Sequence, residues 1–500
     1  MISWRTGGVE WAAPLTDTLS SVGVSITRRH DAGDSLIAIL ATAMLVLAWA
    51  GQWIAMAAHS RTIALAALAL YAAGFVVLAA LRPSLALIAL VVAVPLVTIE
   101  IGFGDVEKTV SGDKIAVAVV AAMWVIRRGH VAAAALLKTS AVRWWLVFLA
   151  LISVSAIAQG LSKAEAWNMT ATVIYALVFM LALDVFLHDP GVRDSVLLAA
   201  GVTAGVVAGI GLIERLLWSI FLSPISLYFK DGTQPPMYSI GSTIGHTNFL
   251  AGYLALVLGL LLVLAWHGSS GRRTLLLTSS ALVTIALVVA RSIGALVGVA
   301  AGAFIVVVIG STRTQSRRVR IGLVAAVVVA IALASGIAAD KLGVSTNPIG
   351  VRVATLRIGM AAIAEHPWLG SGANGYVRES PRLEAKLFGS DLGRWHPVGQ
   401  SLSAHSSYLN VAVERGVPAL IGFLAVLGAV FVAAVRAGTA RATPERDALL
   451  VIGLLAGLVA FAVQATTENL FNYSKVATIF WIMAAAVVSF VPRGSPRTVS

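Results

Sequence analysis

Long apolar stretches separated by short polar connections make up most of this chain. Most of them hold about 18 to 25 residues, the length that an α-helix needs to cross the hydrocarbon core of a bilayer. The fourth is short for a span, and the run 406–435 is long, so its first turns are expected to stand outside the membrane. The pattern predicts an all-α, polytopic membrane helical bundle of about 14 transmembrane helices. The apolar runs centre on residues 36–56, 63–81, 84–99, 115–126, 142–158, 166–187, 196–222, 243–266, 274–290, 292–310, 320–339, 406–435, 447–467 and 474–491.

The polar segments divide the chain further. Residues 1–34 lack the apolar core and small-residue cleavage site of a secretory signal, so we expect a cytoplasmic N-terminal tail there. The transmembrane bundle then covers 35–491, and 492–500 form a second cytoplasmic tail. Residues 340–405 are the one long stretch between apolar runs, and we expect a partly helical loop on the outer, periplasmic side of the membrane.

Composition agrees with this interpretation and excludes several kinds of site. Of the 500 residues, 59% are hydrophobic and only 12% are charged, far from the balance of a soluble domain. The chain has no cysteine, which excludes disulfides, thiolate metal sites and a cysteine nucleophile.

The net charge of +13 has two possible explanations, nucleic-acid binding or the basic residues that flank cytoplasmic helix ends. If the connections alternate from a cytoplasmic N-terminus, more than half of the 36 Lys and Arg residues fall on one side of the membrane. This asymmetry follows the positive-inside rule. The sequence therefore predicts a multi-pass protein of the cytoplasmic (inner) membrane with both termini in the cytoplasm, in contact with membrane lipid and with no nucleic-acid partner.

The long loop contains a predicted helix followed by a tight turn. Val353, Leu356, Met360 and Ile363 follow helical spacing and form one apolar stripe, which would let this helix lie along the outer surface of the bilayer. The following stretch, "HPWLGSGANGY", has the proline and glycines that stop a helix and permit an irregular turn.

Two arginines lie within or at the end of apolar runs. Arg215 is expected about two turns inside the seventh span, either paired with adjacent Glu214, or snorkelling to headgroups, or binding a substrate. Arg291 lies between two apolar runs, either as a lipid anchor or as an anion site that the small residues Ser292 and Gly294 leave accessible.

Two further polar segments border the membrane. In "YSIGSTIGHTNFLAGY", Ser242 or Thr243 is expected to cap the eighth span, whereas His246 and Asn248 lie just below the outer surface. His405 stands where the long loop returns to the membrane, on the same side as both arginines. A base that works near pH 7 beside fixed cations suits chemistry on an anionic, lipid-borne substrate. The loop histidines His366 and His396 are interpreted as incidental.

Across residues 200–435 the sequence resembles the O-antigen ligases and O-antigen polymerases. The ligase pattern of His, then Asn, Ser or Gln, then nine residues, then Gly is matched by His405, Ser406 and Gly416. "EHPWLGSGANGY", "GSTIGHTNFLAGYLAL" and "VVARSIGALVG" are similar to three other segments of the family, the last with Arg291 at the family's arginine. The chain departs from the family at Ser239, where an arginine is frequent, and at Ile421.

The resemblance implies transfer of a glycan from an undecaprenyl-pyrophosphate donor to an acceptor hydroxyl on the outer face of the cytoplasmic membrane. It implies His405 as the catalytic base and Arg291 as a ligand of the pyrophosphate. Arg215, Lys230 and Arg352 are candidates to replace the arginine missing at Ser239. A single displacement would invert the anomeric centre. Further candidates for the substrate pocket are His246, Asn248, Ser406, Tyr408 and Glu414.

The acidic residues of the long loop bear on metal dependence. They are separated rather than clustered, so we expect a reaction that needs neither a metal ion nor another cofactor. These residues are Asp340, Glu365, Glu379, Glu384 and Asp391.

Three functional classes stay open from sequence. The first is an enzyme that uses a glycan, lipid or protein acceptor, as a ligase, polymerase or protein glycosyltransferase does. The second is a transporter or flippase in which Arg215 and Arg291 line a conduit for an anionic or lipid-linked substrate. The third, a structural membrane protein, leaves the ordered loop without a purpose. A transporter would place ionisable residues at several depths in the bundle.

Overall fold

The computed structural model describes residues 32–57, 60–97, 100–102, 109–221, 240–310, 348–389 and 404–491. Within these ranges the chain is almost entirely helical, with one antiparallel pair of short strands, β1 (Glu100–Gly102) and β2 (Thr109–Ser111). The helices are α1 (Ala32–Ala57), α2 (Arg61–Leu81), α3 (Pro83–Leu96), α4 (Gly112–Trp124), α5 (His130–Leu136), α6 (Ser140–Ala158), α7 (Lys163–His188), α8 (Pro190–Phe221), α9 (Thr247–Trp266), α10 (Ser270–Ala290), α11 (Ile293–Gly310), α12 (Pro348–Glu365), α13 (Gly375–Phe388), α14 (Ser407–Arg415), α15 (Val417–Thr439), α16 (Glu445–Gln464) and α17 (Ser474–Ser489).

Nine helices of the described part are long and apolar enough to cross a membrane, and four shorter apolar helices accompany them. The protein is therefore a multi-pass, all-α membrane protein. Three predicted segments lie outside the described residues. They are the span at 320–339, the tail 492–500, and the tail 1–34 except for its last residues. The count of fourteen spans and the orientation of the termini stay predictions.

The structure corrects one predicted connection. The fourth apolar run was expected to end at residue 126 with a basic loop after it. Instead, a π-helical turn at Val125–Gly129 joins α4 to α5, and the combined helix Gly112–Leu136 is a candidate span of 25 residues. The alanine-rich segment after Arg128 favours helix, so the backbone bonds continue past the two arginines.

The run 406–435 divides as expected. Its first turns form the short helix α14, and Gly416, with a φ of 86°, separates α14 from the membrane helix α15. A β-carbon at Gly416 would lie 2.3 Å from the carbonyl oxygen of Trp368. Glycine is therefore required both for the backbone angle and for this close approach.

Helix α16 forms the centre of the bundle because glycines let α9 and α11 approach its backbone. A β-carbon at Gly457 would lie 1.8 Å from the carbonyl oxygen of Leu256 on α9. On the other side, a β-carbon at Gly298 of α11 would lie 2.3 Å from the carbonyl oxygen of Ala460. Small residues at such contacts are typical of membrane helix packing. The end of α16 is thereby held between the start of α9 and the start of α11. We call this end of the bundle the His405 end.

The described parts of the long loop are helical, in α12 and α13. The predicted apolar stripe on α12 faces outwards, with Val353, Leu356 and Met360 exposed. A second apolar face, which includes Ile358 and Gly359, packs on Leu409 of α14. This second face was not predicted, and it ties the loop to the helix that follows His405.

Candidate active site

A buried carboxylate, Glu468, lies at the His405 end of the bundle, four residues after α16. Its Oε1 accepts hydrogen bonds from Nδ2 of Asn248, at 2.7 Å, and from Nη2 of Arg352. Nδ1 of His405 lies 3.7 Å from the other carboxylate oxygen, Oε2, which is ion-pair distance but longer than a direct hydrogen bond. One carboxylate therefore connects three of the residues that the sequence singled out.

The backbone around Glu468 explains why these side chains meet. The amide of Gln464 donates to the carbonyl oxygen of Asn248 at 2.7 Å, which fixes the start of α9 against the end of α16. The hydroxyl of Ser407 donates to the carbonyl oxygen of Glu468 at 3.2 Å, which fixes the start of α14 in the same way. Nε of Arg352 donates to the carbonyl oxygen of Thr467 at 3.3 Å. Three helices are thus attached to one short segment.

His405 is held in a backbone conformation that few residues other than glycine adopt. Its φ is 43°, in the left-handed region. The next residue, Ser406, caps α14 by accepting a hydrogen bond from the backbone N–H of Leu409 at 3.3 Å. Strained conformations of this kind persist where the surroundings impose them, and they concentrate at functional sites. The His405 side chain keeps 38% of its surface exposed, so a substrate can reach it.

The charges of the cluster favour an ionised Glu468. Burial acts to raise the pKa of this carboxyl group, but its interaction with His405 and the charge of Arg352 outweigh burial and hold the pKa below its ordinary value. At neutral pH the site therefore contains a buried carboxylate with an arginine and a histidine on its open side. The carboxylate and the imidazole are close enough to interact electrostatically.

Comparison with known proteins adds the family. Residues 278–424 match the family model described as O-antigen ligase. This part of the chain, less than half of its length, is similar to an O-antigen ligase domain. Together with the apolar helices, this domain supports a general role in glycan transfer at a membrane, on lipid-linked substrates. No curated protein matches this chain. The matched range contains Arg291, Arg352 and His405, whereas Asn248 and Glu468 lie outside it.

Glu468 was missed by sequence reasoning. It lies in "TTENLFN", a short connection between the last two apolar runs, and matches none of the family segments quoted above. The available signal was a lone acidic residue at the end of a span on the side predicted to carry His405. Glu414 was predicted instead, but its carboxylate contacts the backbone of Asn374.

Glu414 and Tyr408 of the O-antigen ligase domain have structural contacts. Oε1 of Glu414 accepts from the backbone N–H of Asn374 at 3.0 Å, and the hydroxyl of Tyr408 donates to the carbonyl oxygen of Ala462 at 2.8 Å. Glu414 also lines a cavity of about 450 Å³ together with Asn410 and others on α6, α7 and α17. These contacts hold α14 in place, and the described contacts of neither side chain include His405.

His246 caps α9, which corrects the expected role of Ser242 and Thr243. Nδ1 of His246 accepts from the backbone N–H of Asn248 at 3.2 Å. The hydroxyl of Ser242 instead donates to the carbonyl oxygen of Val207 at 2.6 Å, and its backbone N–H donates to Glu214 at 2.9 Å. Asn248 is the second residue of α9, so it lies shallower than expected and its side chain is available for Glu468.

The two membrane arginines lie at the end of α10 and on α8. Arg291 ends α10 with a φ of 51° and is half-buried. Three residues later, a β-carbon at Gly294 would lie 2.5 Å from Oγ1 of Thr467, directly before Glu468. Gly294 was expected to leave room for the guanidinium of Arg291. The structure shows a different reason for a glycine here, which is the close packing of α11 against Thr467. Arg215 is half-buried on α8, beside Glu214, whose carboxylate holds the turn before α9. Lys230 and Ser239 lie outside the described residues.

The "HPWLGSGANGY" turn is held by side chains from other helices. Oε1 of Glu165, at the start of α7, accepts from the backbone N–H of Ala373, and its Oε2 pairs with Nη1 of Arg415. Nε2 of Gln159 donates to the carbonyl oxygen of Gly370 at 2.8 Å. A β-carbon at Gly370, whose φ is 68°, would lie 2.5 Å from the backbone nitrogen of Arg415. The turn therefore clamps the far end of α14 and sets the position of His405 at its near end.

Proposed function

We propose that this protein transfers a glycan from an undecaprenyl-pyrophosphate-linked donor to an acceptor hydroxyl, as an O-antigen ligase or polymerase does. The observation that carries the proposal is the contact of His405 with the buried carboxylate of Glu468, which arginine and asparagine side chains hold in place. A base beside a carboxylate suits the activation of a hydroxyl, whereas moving a substrate across a membrane does not call for a base.

In the proposed reaction, Nδ1 of His405 donates its proton towards Oε2 of Glu468, which leaves the lone pair of Nε2 as the base. The acceptor hydroxyl passes its proton to Nε2 and its oxygen attacks the anomeric carbon of the donor sugar. The bond between that carbon and the pyrophosphate oxygen breaks, and the undecaprenyl pyrophosphate leaves as an anion. A single displacement of this kind inverts the anomeric centre and needs no metal ion.

Arginine is suited to the leaving group because its planar guanidinium binds two phosphate oxygens at once. We propose Arg291 as the principal ligand, since the segment that it starts packs on Thr467 next to Glu468. Arg215 is the second candidate. Arg352 already pairs with Glu468, so we assign it chiefly to holding that carboxylate. The proposed location is the inner membrane, with the site on its periplasmic side.

The test of this assignment is Arg291→Lys in purified protein, with a polyprenyl-pyrophosphate glycan as donor. Lysine keeps the charge but loses the two-point contact, which costs about 1.5–3 kcal/mol, or about a 10- to 100-fold loss in rate. Arg273→Lys, at an exposed position at the start of α10, is the matched control and is expected to have no effect. Equal rates for Arg291→Lys and the wild type would show that Arg291 is only a lipid anchor.

A transporter is the alternative class. The buried carboxylate Asp184 near the end of α7 is the feature that such a function would use, because it lies at the opposite end of the bundle from His405. Its Oδ2 accepts from Nε1 of Trp124 at 3.0 Å and from Nε of Arg128 at 2.8 Å. These contacts satisfy the carboxylate internally, which favours a structural role for it. Glycan analysis of a strain without the protein separates the enzymes, since polymer left on the lipid carrier indicates a ligase and single repeat units indicate a polymerase.

A further inference from the structure

A second cavity lies at the opposite end of the bundle from His405. It has a volume of about 580 Å³ and is bordered by the connection between α5 and α6, and by the ends of α7, α15 and α17. Three basic side chains line it: Lys138, Arg143 and Arg436. No acidic side chain of the described residues is among its lining. The cavity therefore concentrates positive charge in one place.

Lys138, Arg143 and Arg436 are exposed side chains that line one cavity. Within the described ranges, none of them forms an ion pair. Two other arginines at this end do have acidic partners: Arg128 pairs with Asp184, and Arg446 pairs with Asp194 at 2.9 Å. Cations that line one cavity repel each other, and a bound anion would offset that repulsion.

The start of α6 adds donors to the same cavity. Thr139 and Ser140 line it, and Ser140 is the first residue of this 19-residue helix. Thr139 makes no capping hydrogen bond with its side chain. The free N–H groups of a helix start, together with the positive end of the helix dipole, favour an anion. Helix and basic side chains thus point to the same kind of ligand.

The remaining lining is apolar and belongs to membrane helices. Leu187 of α7, Val432 of α15 and Val488 of α17 are among these residues. Val432 keeps 49% of its surface exposed on a helix that is long and apolar enough to span the membrane, so this wall of the cavity continues onto a surface that faces lipid. A ligand that fits both parts has an anionic head and an apolar tail.

We propose that this cavity binds an anionic phospholipid. Its phosphate lies between Lys138, Arg143 and Arg436, and its acyl chains follow the apolar wall on α15 and α17. Basic pockets between transmembrane helices are a known mode of recognition for such headgroups. The apolar wall distinguishes this ligand from free phosphate, which has no use for it. The site does not depend on the proposed enzymatic function, because it lies at the other end of the bundle from His405.

The test uses the purified full chain and compares two triple variants. The first, Lys138→Gln, Arg143→Gln and Arg436→Gln, removes the cavity charges. The matched control, Arg127→Gln, Arg273→Gln and Arg441→Gln, removes the same charge from exposed side chains that do not line the cavity. The thermal unfolding midpoint and native mass spectra are recorded with phosphatidylglycerol, with phosphatidylcholine and with inorganic phosphate.

Phosphatidylglycerol is expected to raise the midpoint of the wild type by about 3 °C or more and to stay bound in the spectrometer. The control variant should keep both effects and the cavity variant should lose them. If the cavity variant is not recovered folded, Arg436→Gln alone should bind the lipid about tenfold more weakly. Equal loss in both triple variants would reduce the effect to general surface charge. Equal shifts with phosphatidylcholine or with inorganic phosphate would also overturn the proposal.

Discussion

Two buried glutamates, one near each end of α14, have similar chemistry and different surroundings. Glu165 and Glu468 are 2% and 4% exposed, and each pairs with an arginine. Glu165 pairs with Arg415, which is itself only 7% exposed, and its second oxygen accepts from the backbone N–H of Ala373. Glu468 instead faces Arg352 and His405, which keep 34% and 38% of their side-chain surface exposed.

The exposure of the partner side chain separates a structural carboxylate from a functional one in this bundle. Where the partner of a buried carboxylate is also buried, as Arg415 is for Glu165, the pair has little contact with solvent and holds the backbone that it touches. When the partner is half-exposed, the carboxylate sets the orientation and charge of a group that a substrate can reach. On this criterion Glu165 fixes the glycine turn, and Glu468 belongs to the proposed reaction site.

The largest expected effect is on the exposed side of this comparison. His405→Ala should lower the transfer rate by about 10²- to 10⁴-fold, the contribution of a general base, without loss of folded protein. His366→Ala is the matched control, because this exposed histidine lies in the same loop region and is expected to be incidental. Rates are measured with purified protein. Near-normal product from His405→Ala would rule out its assignment as the base.

Breaking the buried pair should affect folding instead. Glu165→Gln leaves Arg415 buried without a counter-charge, so we expect a loss of about 3–5 kcal/mol in the free energy of unfolding. Glu379→Gln, which breaks an exposed ion pair with Arg382, should cost no more than about 1 kcal/mol. Denaturant unfolding in detergent measures both. If Glu165→Gln unfolds like the wild type, the clamp on the glycine turn is not a stabilising contact.

Glu468→Gln keeps the shape of the side chain and removes its charge. We expect about a 10- to 100-fold loss in rate, the usual range for a group that orients a functional residue. The rate is measured with purified protein beside the wild type and His405→Ala. A rate for Glu468→Gln equal to that of the wild type would show that the carboxylate does not act on His405.

The lowered pKa of Glu468 also predicts how its contribution to stability depends on pH. A carboxyl group whose pKa is depressed in the folded state stabilises the protein above its unfolded pKa and loses that contribution as the pH falls through the folded pKa. Its ordinary value is 4.5. The difference in unfolding free energy between the wild type and Glu468→Gln should therefore be constant from pH 7 to about 5.5 and shrink below about 4.5. A difference that grows on acidification would contradict the depressed pKa.

The smallest expected effect is that of metal removal. An excess of chelator should leave the transfer rate unchanged, because a base and arginine side chains supply the proposed chemistry. Loss of activity that a divalent ion restores would show that a metal takes part, and the roles of Arg291 and Arg352 would have to be reassigned.

Much of the membrane architecture could be predicted from local pattern. The length of the apolar runs predicted the helices. The run 406–435 is long for one span, so its first turns were expected to stand apart, and the structure places the break at Gly416. His405 and Ser406 were identified because they belong to one continuous motif. The helix through Arg127 and Arg128 was missed, because a π-helical turn accommodates charges that hydropathy alone assigns to a loop.

The sequence alone determines which segments favour a membrane helix and which favour a polar connection, because hydropathy and motif spacing depend on neighbouring residues. Which segments meet was decided by tertiary structure. Glu468 lies 63 positions after His405 and 220 after Asn248, and no local pattern relates such distant side chains. Glycines on α9, α11 and α16 bring these helices close enough for their ends to share one carboxylate. The site depends on this packing, since only a buried segment attached to several helices can hold a charged carboxylate beside His405.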